Sequence, residues 1–127
     1  MKNLIKLSIF IWVHFESIAQ QNVVIQTGTN ITTTVNATVV LLNCNLQNNS
    51  NNANFSNCLL TESGSTNVTI GGTGILNFKE LTLNKTASTL IMNSNLSIQS
   101  KLNFQSGNVD LNGYVLSLAP LALLIGE

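Results

Sequence analysis

Apolar residues recur as closely spaced pairs along the second half of the chain. Within a pair a single polar residue separates the two, and a turn of Asn, Gly, Ser or Lys follows. The pairs are Val68/Ile70, Leu76/Phe78, Leu81/Leu83, Leu90/Met92, Leu96/Ile98, Leu102/Phe104, Val109/Leu111 and Leu116/Leu118. A spacing of two places both side chains on one face of a strand. The pattern therefore predicts short strands joined by tight corners rather than helices.

Every third pair falls into register at an interval of about 20–22 residues. The aligned positions are Phe78, Ile98 and Leu118; Ile70, Met92 and Leu111; and Leu83, Phe104 and Ile125. This recurrence predicts an all-β fold, a right-handed parallel β-solenoid with three short strands per coil. The alternative is an antiparallel sandwich, which is suggested by the type I′ hairpin signal Asn112-Gly113. A hairpin meander gives no reason for the long-range recurrence, so the solenoid is favoured.

The chain divides into three segments. Residues 1–19 have the features of a signal peptide: Lys2 and Lys6 at the start, an apolar run over residues 7–13, and the small-x-small site Ser17-Ile18-Ala19 before Gln20. Residues 20–65 are predicted to form irregular first coils, and residues 66–127 to form regular coils. We therefore expect an exported protein, secreted or at the cell surface, with no membrane span after signal removal.

An Asn-rich stretch of low complexity covers residues 43–57 within the irregular segment. It is interpreted as a loop that bulges from an early coil. Alternatively, its Asn side chains stack as ladders between successive rungs of the solenoid. The sequence does not separate these two interpretations.

Charge is scarce throughout the chain, and this limits the classes of partner. Only 8% of the residues are charged, 44% are hydrophobic, the formal net charge is zero, and arginine is absent. Beyond the predicted signal peptide the basic side chains are Lys79, Lys85 and Lys101. Three lysines cannot neutralise a run of phosphates, so nucleic acid is not an expected partner.

The titratable side chains do not suggest catalysis. Beyond the predicted signal peptide, which contains His14 and Glu16, there is no histidine, and the carboxylates are Glu62, Glu80, Asp110 and Glu127. Glu80 and Asp110 lie about one and a half coils apart, so they are expected on different faces rather than across one bond. We therefore predict that the protein is not an enzyme and has no catalytic residues, cofactor or metal. Glycines 71, 72 and 74 are interpreted as a corner.

Cys44 and Cys58 are the two cysteines of the chain. In an exported protein an even number of cysteines suggests a disulfide, which here would close a loop around the Asn-rich stretch. Two buried free thiols are the alternative, because the spacing alone does not show whether the Cα atoms approach closely enough.

The C-terminal end of the predicted array is strongly apolar over residues 121–125. One interpretation is a final strand on an exposed edge. The other is that the chain is the front part of a longer array, because solenoid ends normally carry polar caps. The expected partners are then further solenoid coils or modules of a longer protein. Self-association through this edge is also expected.

Several phrases resemble a known group of proteins. Residues 106–118 (SGNVDLNGYVLSL), 125–127 (IGE), 74–78 (GILNF) and 81–84 (LTLN), with the Ala-Gln-Gln junction at residues 19–21, are similar to the N-terminal β-solenoid regions of large exported Bacteroidota surface proteins of the type IX secretion class. The resemblance implies an adhesin-like protein whose partners are glycans or surface proteins, and it carries over no catalytic residues. A carbohydrate-binding or carbohydrate-active β-helix domain is the alternative.

Overall fold

The computed structural model describes residues 21–126, which form an all-β, helix-free solenoid of about five turns built from parallel strands. The strands are β1 (Gln21–Ile25), β2 (Ile31–Thr32), β3 (Ala37–Leu42), β4 (Cys44–Asn48), β5 (Ala53–Asn54), β6 (Cys58–Gly64), β7 (Val68–Gly71), β8 (Leu76–Asn93), β9 (Leu96–Asp110), β10 (Leu116–Leu118) and β11 (Leu123–Ile125). Parallel pairing, and with it the predicted fold class, is confirmed. The right-handed winding stays a prediction, and the predicted signal peptide and Glu127 lie outside the described residues.

Each coil contributes one strand segment to each of three faces. The first face contains β1, β4, β7 and the ends of β8 and β9. The second face contains β2, β5, the starts of β8 and β9, and β10. The third face contains β3, β6, the middle parts of β8 and β9, and β11. Strands β8 and β9 are long because each continues around two corners, and the register shifts lie where they bend.

The core consists of side-chain columns that run along the solenoid axis. On the second face the predicted column of Phe78, Ile98 and Leu118 is confirmed by the pairing of Ile98 with both neighbours. On the third face a column extends through all five coils: Val39, Leu60, Leu81, Leu102 and Leu124. Its three inner members are 0–3% exposed. Successive coils therefore bury each other's apolar side chains, which is how a repeat fold gains stability.

One predicted column is wrong at its last member. Leu83 pairs with Phe104 as expected, but Ile125 pairs with Asn103, and Leu124 takes the place above Leu102. The cause is the last corner, which is two residues longer than the corner below it: Leu118 and Leu123 are five positions apart, while their partners Ile98 and Lys101 are three apart. In the predicted column of Ile70, Met92 and Leu111, the pairing of Ile70 with Met92 is confirmed.

The Asn-rich stretch is part of a coil and does not bulge out as a loop. It contains β4, a corner and β5, and the side chains of Asn48 and Ser50 are fully buried. Asn48 Oδ1 accepts a hydrogen bond from the Ser50 backbone N–H at 3.0 Å, and Asn48 Nδ2 donates one to the Ile75 carbonyl at 2.9 Å. Because Asn can satisfy backbone groups through a short side chain, the low-complexity stretch builds an ordered corner.

Asn112 and Gly113 form the type of turn predicted from their sequence, but this turn does not join the two strands of a hairpin. Both residues have positive φ, of 48° and 80°, and the Tyr114 N–H donates to the Leu111 carbonyl at 2.8 Å. These are the features of a type I′ turn. Here the turn is a corner between the first and second faces, and β10 beyond it pairs in parallel with the coil below. The antiparallel alternative is therefore wrong.

Gly72 lies at the corresponding corner of the third coil, between β7 and β8. Its φ is +121°, and a Cβ at this position would overlap the carbonyl group of Asn48 in the coil below. The predicted glycine-rich corner is thus confirmed, and its cause is close contact between coils.

We expect Gly72→Ala to reduce the free energy of unfolding by about 2–4 kcal/mol, because strain at positive φ adds to the overlap with Asn48. Urea titration of the purified protein measures this loss. Gly113→Ala is the matched control, since Gly113 also has positive φ but has open space around it. A loss of about 1 kcal/mol is expected there. Equal losses in the two variants would contradict the proposed contact between coils.

Candidate functional site

Two ionisable side chains lie inside the solenoid on the third face. In β6 the inward positions alternate as Cys58, Leu60 and Glu62, and in β8 they alternate as Leu81, Leu83 and Lys85. Glu62 and Lys85 are both 0% exposed. Because side chains alternate between the two faces of a strand, the Glu62 carboxyl group and the Lys85 ammonium group both point into the core, in adjacent coils.

Glu62 is a carboxyl group without hydrogen bonds. Neither of its oxygens has a partner within the described structure. Burial raises the pKa of Glu62 from its ordinary value of 4.5 to about 8, and the nearby Lys85 opposes this shift. Since removing a charge from water is costly, the buried carboxyl is held mainly in its neutral form at pH 7.

Lys85 contacts the backbone instead of the carboxyl group. Its Nζ donates a hydrogen bond to the Ser63 carbonyl at 3.2 Å. Burial lowers the pKa of Lys85, while the Glu62 carboxyl acts in the opposite direction. Because both side chains are closed off from solvent, no dissolved substrate reaches them. Their protonation therefore affects the stability of the fold.

The two cysteines lie at different corners of the second coil. Cys44 begins β4 on the first face, Cys58 begins β6 on the third face, and both are buried free thiols. The predicted disulfide is therefore not formed in this structure. Burial raises the pKa of Cys58 to about 11, and burial together with the Glu62 carboxyl raises the pKa of Cys44. Protonated thiols are poor nucleophiles.

The remaining charged side chains are distributed over the outside. Lys101 Nζ lies 2.7 Å from Glu80 Oε2, the one ion pair between side chains of residues 21–126. Lys79 donates to Asn36 Oδ1 at 2.6 Å. Glu80 is on the third face and Asp110 on the first, so the structure does not bring these carboxylates together. Within the described part of the chain no group of three or more His, Cys, Asp or Glu side chains could hold a metal ion.

Uncharged amide and hydroxyl groups connect the coils along the outer surface. Asn45 Nδ2 donates to Asn22 Oδ1 at 2.6 Å on the first face. Gln99 Nε2 donates to Asn77 Oδ1 at 2.7 Å on the second face, and Ser106 Oγ donates to Asn84 Oδ1 at 3.2 Å on the third. At a corner Asn112 Nδ2 donates to Asn93 Oδ1 at 3.1 Å. Side-chain hydrogen bonds thus join adjacent coils at these positions, and one of them, from Asn45 to Asn22, involves the Asn-rich stretch.

The second face also carries two shallow, open grooves. The larger has a volume of about 510 Å³ and is lined by polar groups such as Thr73, Asn95 and Ser97 and by the apolar side chains of Ile75 and Val115. The smaller, of about 380 Å³, lies beside Asn54 and Asn77 and shares Ile75 with the first. Ile75 is 67% exposed and lines both grooves.

The burial of Glu62 and Lys85 was not predicted from the sequence. A signal was available, since each follows two apolar residues at a spacing of two: Cys58 and Leu60 before Glu62, and Leu81 and Leu83 before Lys85. From the sequence, both are interpreted by charge alone, Glu62 as a carboxylate and Lys85 as one of the few basic side chains.

Residues 21–126 contain no helix long and apolar enough to cross a membrane.

Comparisons with other proteins supply no relative. No family model matches the chain, no curated protein matches it, and no solved structure matches it.

Proposed function

We propose that the protein is an exported structural module, secreted or displayed at the cell surface, that acts as an adhesin-like β-solenoid without catalysis. The observation that carries this proposal is a set of hydrogen bonds between uncharged amide and hydroxyl groups of adjacent coils, with one on each of the three faces.

The physical argument concerns what this surface can contact. Amide groups offer both a donor and an acceptor, and hydrogen bonds between coils hold them in fixed positions. A pre-positioned array loses little side-chain entropy on binding. Because the array carries few charges, it suits neutral, hydroxyl-rich surfaces such as glycans better than anionic polymers. The buried titratable groups, in contrast, have no access to a substrate.

Export rests on the N-terminal sequence and on the resemblance to Bacteroidota surface proteins. Lys2, Lys6, the apolar run and the Ser17-Ile18-Ala19 site support a cleaved signal peptide. The same resemblance supports further modules of a longer surface protein as natural neighbours of the solenoid.

A carbohydrate-binding or carbohydrate-active domain is the second candidate. The groove beside Ile75 favours it, because polar side chains and an exposed apolar surface together are suited to the polar rim and apolar ring face of a sugar. This candidate differs from the first in having one localised site.

The test combines processing, adhesion and hydrolysis. After expression of the full chain in an exporting bacterial host, mass spectrometry of the exported product should give Gln20 as its first residue, and Ala19→Arg should block cleavage. Beads coated with the product should adhere to glycan-coated surfaces, and no reducing ends should be released from the glycans. Cytoplasmic retention of the full chain, or no adhesion to any glycan or cell surface, would contradict the proposal.

A pair of variants separates the two candidates. Ser97→Arg places a long side chain in the larger groove, and Ser106→Arg places the same side chain on the third face, outside that groove. An adhesin that uses the whole surface should lose a similar, small share of its binding in both variants. Loss confined to Ser97→Arg would establish the localised carbohydrate site instead.

A further inference from the structure

The buried amine of Lys85 extends from the third coil towards the boundary between the first two coils. Its partner in β6 is Gly64, which has no side chain to block the way. Lys85 Nζ donates to the Ser63 carbonyl at 3.2 Å, and the backbone N–H of Asn43, at the end of the first coil, donates to the same oxygen at 3.0 Å. The amine and Asn43 therefore share one carbonyl group, although a whole coil lies between Lys85 and Asn43 in the stack.

The carboxamide of Asn43 lies against Gly64 and is strongly polarised. A Cβ at Gly64 would overlap this carboxamide. Asn43 Oδ1 accepts hydrogen bonds from the Ser65 N–H at 2.8 Å, from the Thr66 N–H at 3.0 Å and from Thr66 Oγ1 at 3.1 Å. Three donors on one carbonyl oxygen stabilise negative charge that develops there, as in an oxyanion hole. The carbon atom Cγ is thereby made more open to attack by an amine.

Glu62 places a carboxyl group near both the amine and the carboxamide. It belongs to the second coil, between the coils of Asn43 and Lys85, and its two oxygens are buried without a hydrogen-bond partner. The carboxyl acts on the pKa of Lys85 and on the pKa of Cys44, the neighbour of Asn43 in the chain. A buried neutral carboxyl can accept a proton on one oxygen and release one from the other.

The burial of Lys85 favours its reactive form. Desolvation lowers the pKa of Lys85, which raises the share of neutral amine. Only the neutral amine has a free electron pair and is a nucleophile. A nucleophile, a polarised carboxamide and a proton carrier are thus held together by the stacking of three coils, which lowers the entropic cost of a reaction between them.

We propose that Lys85 and Asn43 form an intramolecular isopeptide bond, with Glu62 as the proton carrier. Lys85 Nζ attacks Asn43 Cγ, and Oδ1 takes up the negative charge. Nζ gives a proton to one Glu62 oxygen, while the other Glu62 oxygen gives its proton to Asn43 Nδ2. The bond between Cγ and Nδ2 breaks, the carbonyl re-forms, and ammonia leaves. Glu62 ends as the neutral acid, no oxidant or reductant takes part, and the new amide joins the first coil to the third. This reaction is independent of export and adhesion.

The test follows the mass of the full chain after refolding. Chain that is recovered unfolded in urea starts without the bond, and the unfolding experiments on Glu62 concern this unlinked form. After refolding at neutral pH the chain should become about 17 Da lighter, which is the mass of ammonia. Cleavage of the unfolded product after its glutamates places Asn43 and Lys85 on different fragments, and these fragments should stay joined.

Two variants remove the reacting groups, and each has a matched control. Lys85→Met and Asn43→Gly should abolish both the mass loss and the joined fragments. Glycine accepts the φ of 51° at Asn43, and circular dichroism verifies that both variants fold. Lys79→Met and Asn36→Gly are the controls and should keep the bond, because Lys79 contacts Asn36 on the outside and Asn36 also has positive φ.

The role of Glu62 is measured as a rate. Glu62→Gln should slow the mass loss by about 100-fold, because an amide does not carry the proton, whereas Glu80→Gln should leave the rate unchanged. An unchanged rate in Glu62→Gln would contradict the role of the carboxyl. A refolded parent chain of full mass, or a loss of ammonia without joined fragments, would overturn the bond itself. A loss of about 18 Da, the mass of water, would mean that Lys85 condenses with the Glu62 carboxyl and would overturn it as well.

Discussion

Ile98→Asp should abolish the folded state at neutral pH. Ile98 is 0% exposed and lies between Phe78 and Leu118 in the middle of a column. An aspartate there removes apolar contacts with both neighbouring coils and buries a carboxylate without a partner. The expected loss exceeds about 4 kcal/mol, a large share of the stability of a domain of this size. Circular dichroism and urea titration measure it.

Asn95→Asp is the matched control in the same coil. Asn95 is exposed, and its Oδ1 accepts a hydrogen bond from the Val115 N–H at 2.9 Å. A carboxylate keeps this acceptor, so the change in stability should stay within about 0.5 kcal/mol. If Ile98→Asp remained within about 1 kcal/mol of the parent chain, the inward column would be wrong.

Glu62→Gln should stabilise the protein at neutral pH, although it replaces the one fully buried carboxyl group of the described chain. Folding raises the pKa of Glu62 to about 8, so the folded state holds a proton that the unfolded state releases above its ordinary pKa of 4.5. The contribution of Glu62 to stability is therefore complete below about pH 4.5 and is lost as pH rises to about 8. At pH 7 the loss amounts to about 3 kcal/mol.

The measurement is the free energy of unfolding from about pH 5 to about pH 8, which covers the rise from the ordinary pKa of Glu62 to its folded value. The parent chain should become less stable as pH rises, and Glu62→Gln should remove most of this slope. Glu80→Gln is the control, because Glu80 forms a surface ion pair with Lys101 and should contribute less than about 1 kcal/mol. A destabilised Glu62→Gln protein at pH 7 would mean that Glu62 is ionised and stabilised by Lys85.

The sequence predicted the features that depend on local periodicity. The column of Phe78, Ile98 and Leu118 followed from the spacing of two within strands and from the interval of 20 between coils. The type of turn at Asn112-Gly113 followed from the demand for positive φ at both positions. In each case a short-range rule determines the outcome.

The features that the sequence did not predict depend on corner lengths and on which strand lies opposite. The interval between paired residues varies from 19 residues for Thr89 and Asn108 to 24 for Leu46 and Ile70. A constant interval therefore misplaces residues after a long corner, as at Ile125. Likewise, the polar composition of the Asn-rich stretch concealed its ordered hydrogen bonds, which form between residues of different coils.

Parallel stacking of coils is the central claim, and nuclear Overhauser contacts between the apolar pairs of adjacent coils test it most directly. The relevant pairs are Leu76/Phe78 and Leu96/Ile98, observed in a sample with labelled methyl groups and aromatic rings. Parallel register predicts contacts from Leu76 to Leu96 and from the Phe78 ring to Ile98. Contacts from Leu76 to Ile98 and from Phe78 to Leu96 would indicate antiparallel strands and would contradict the solenoid.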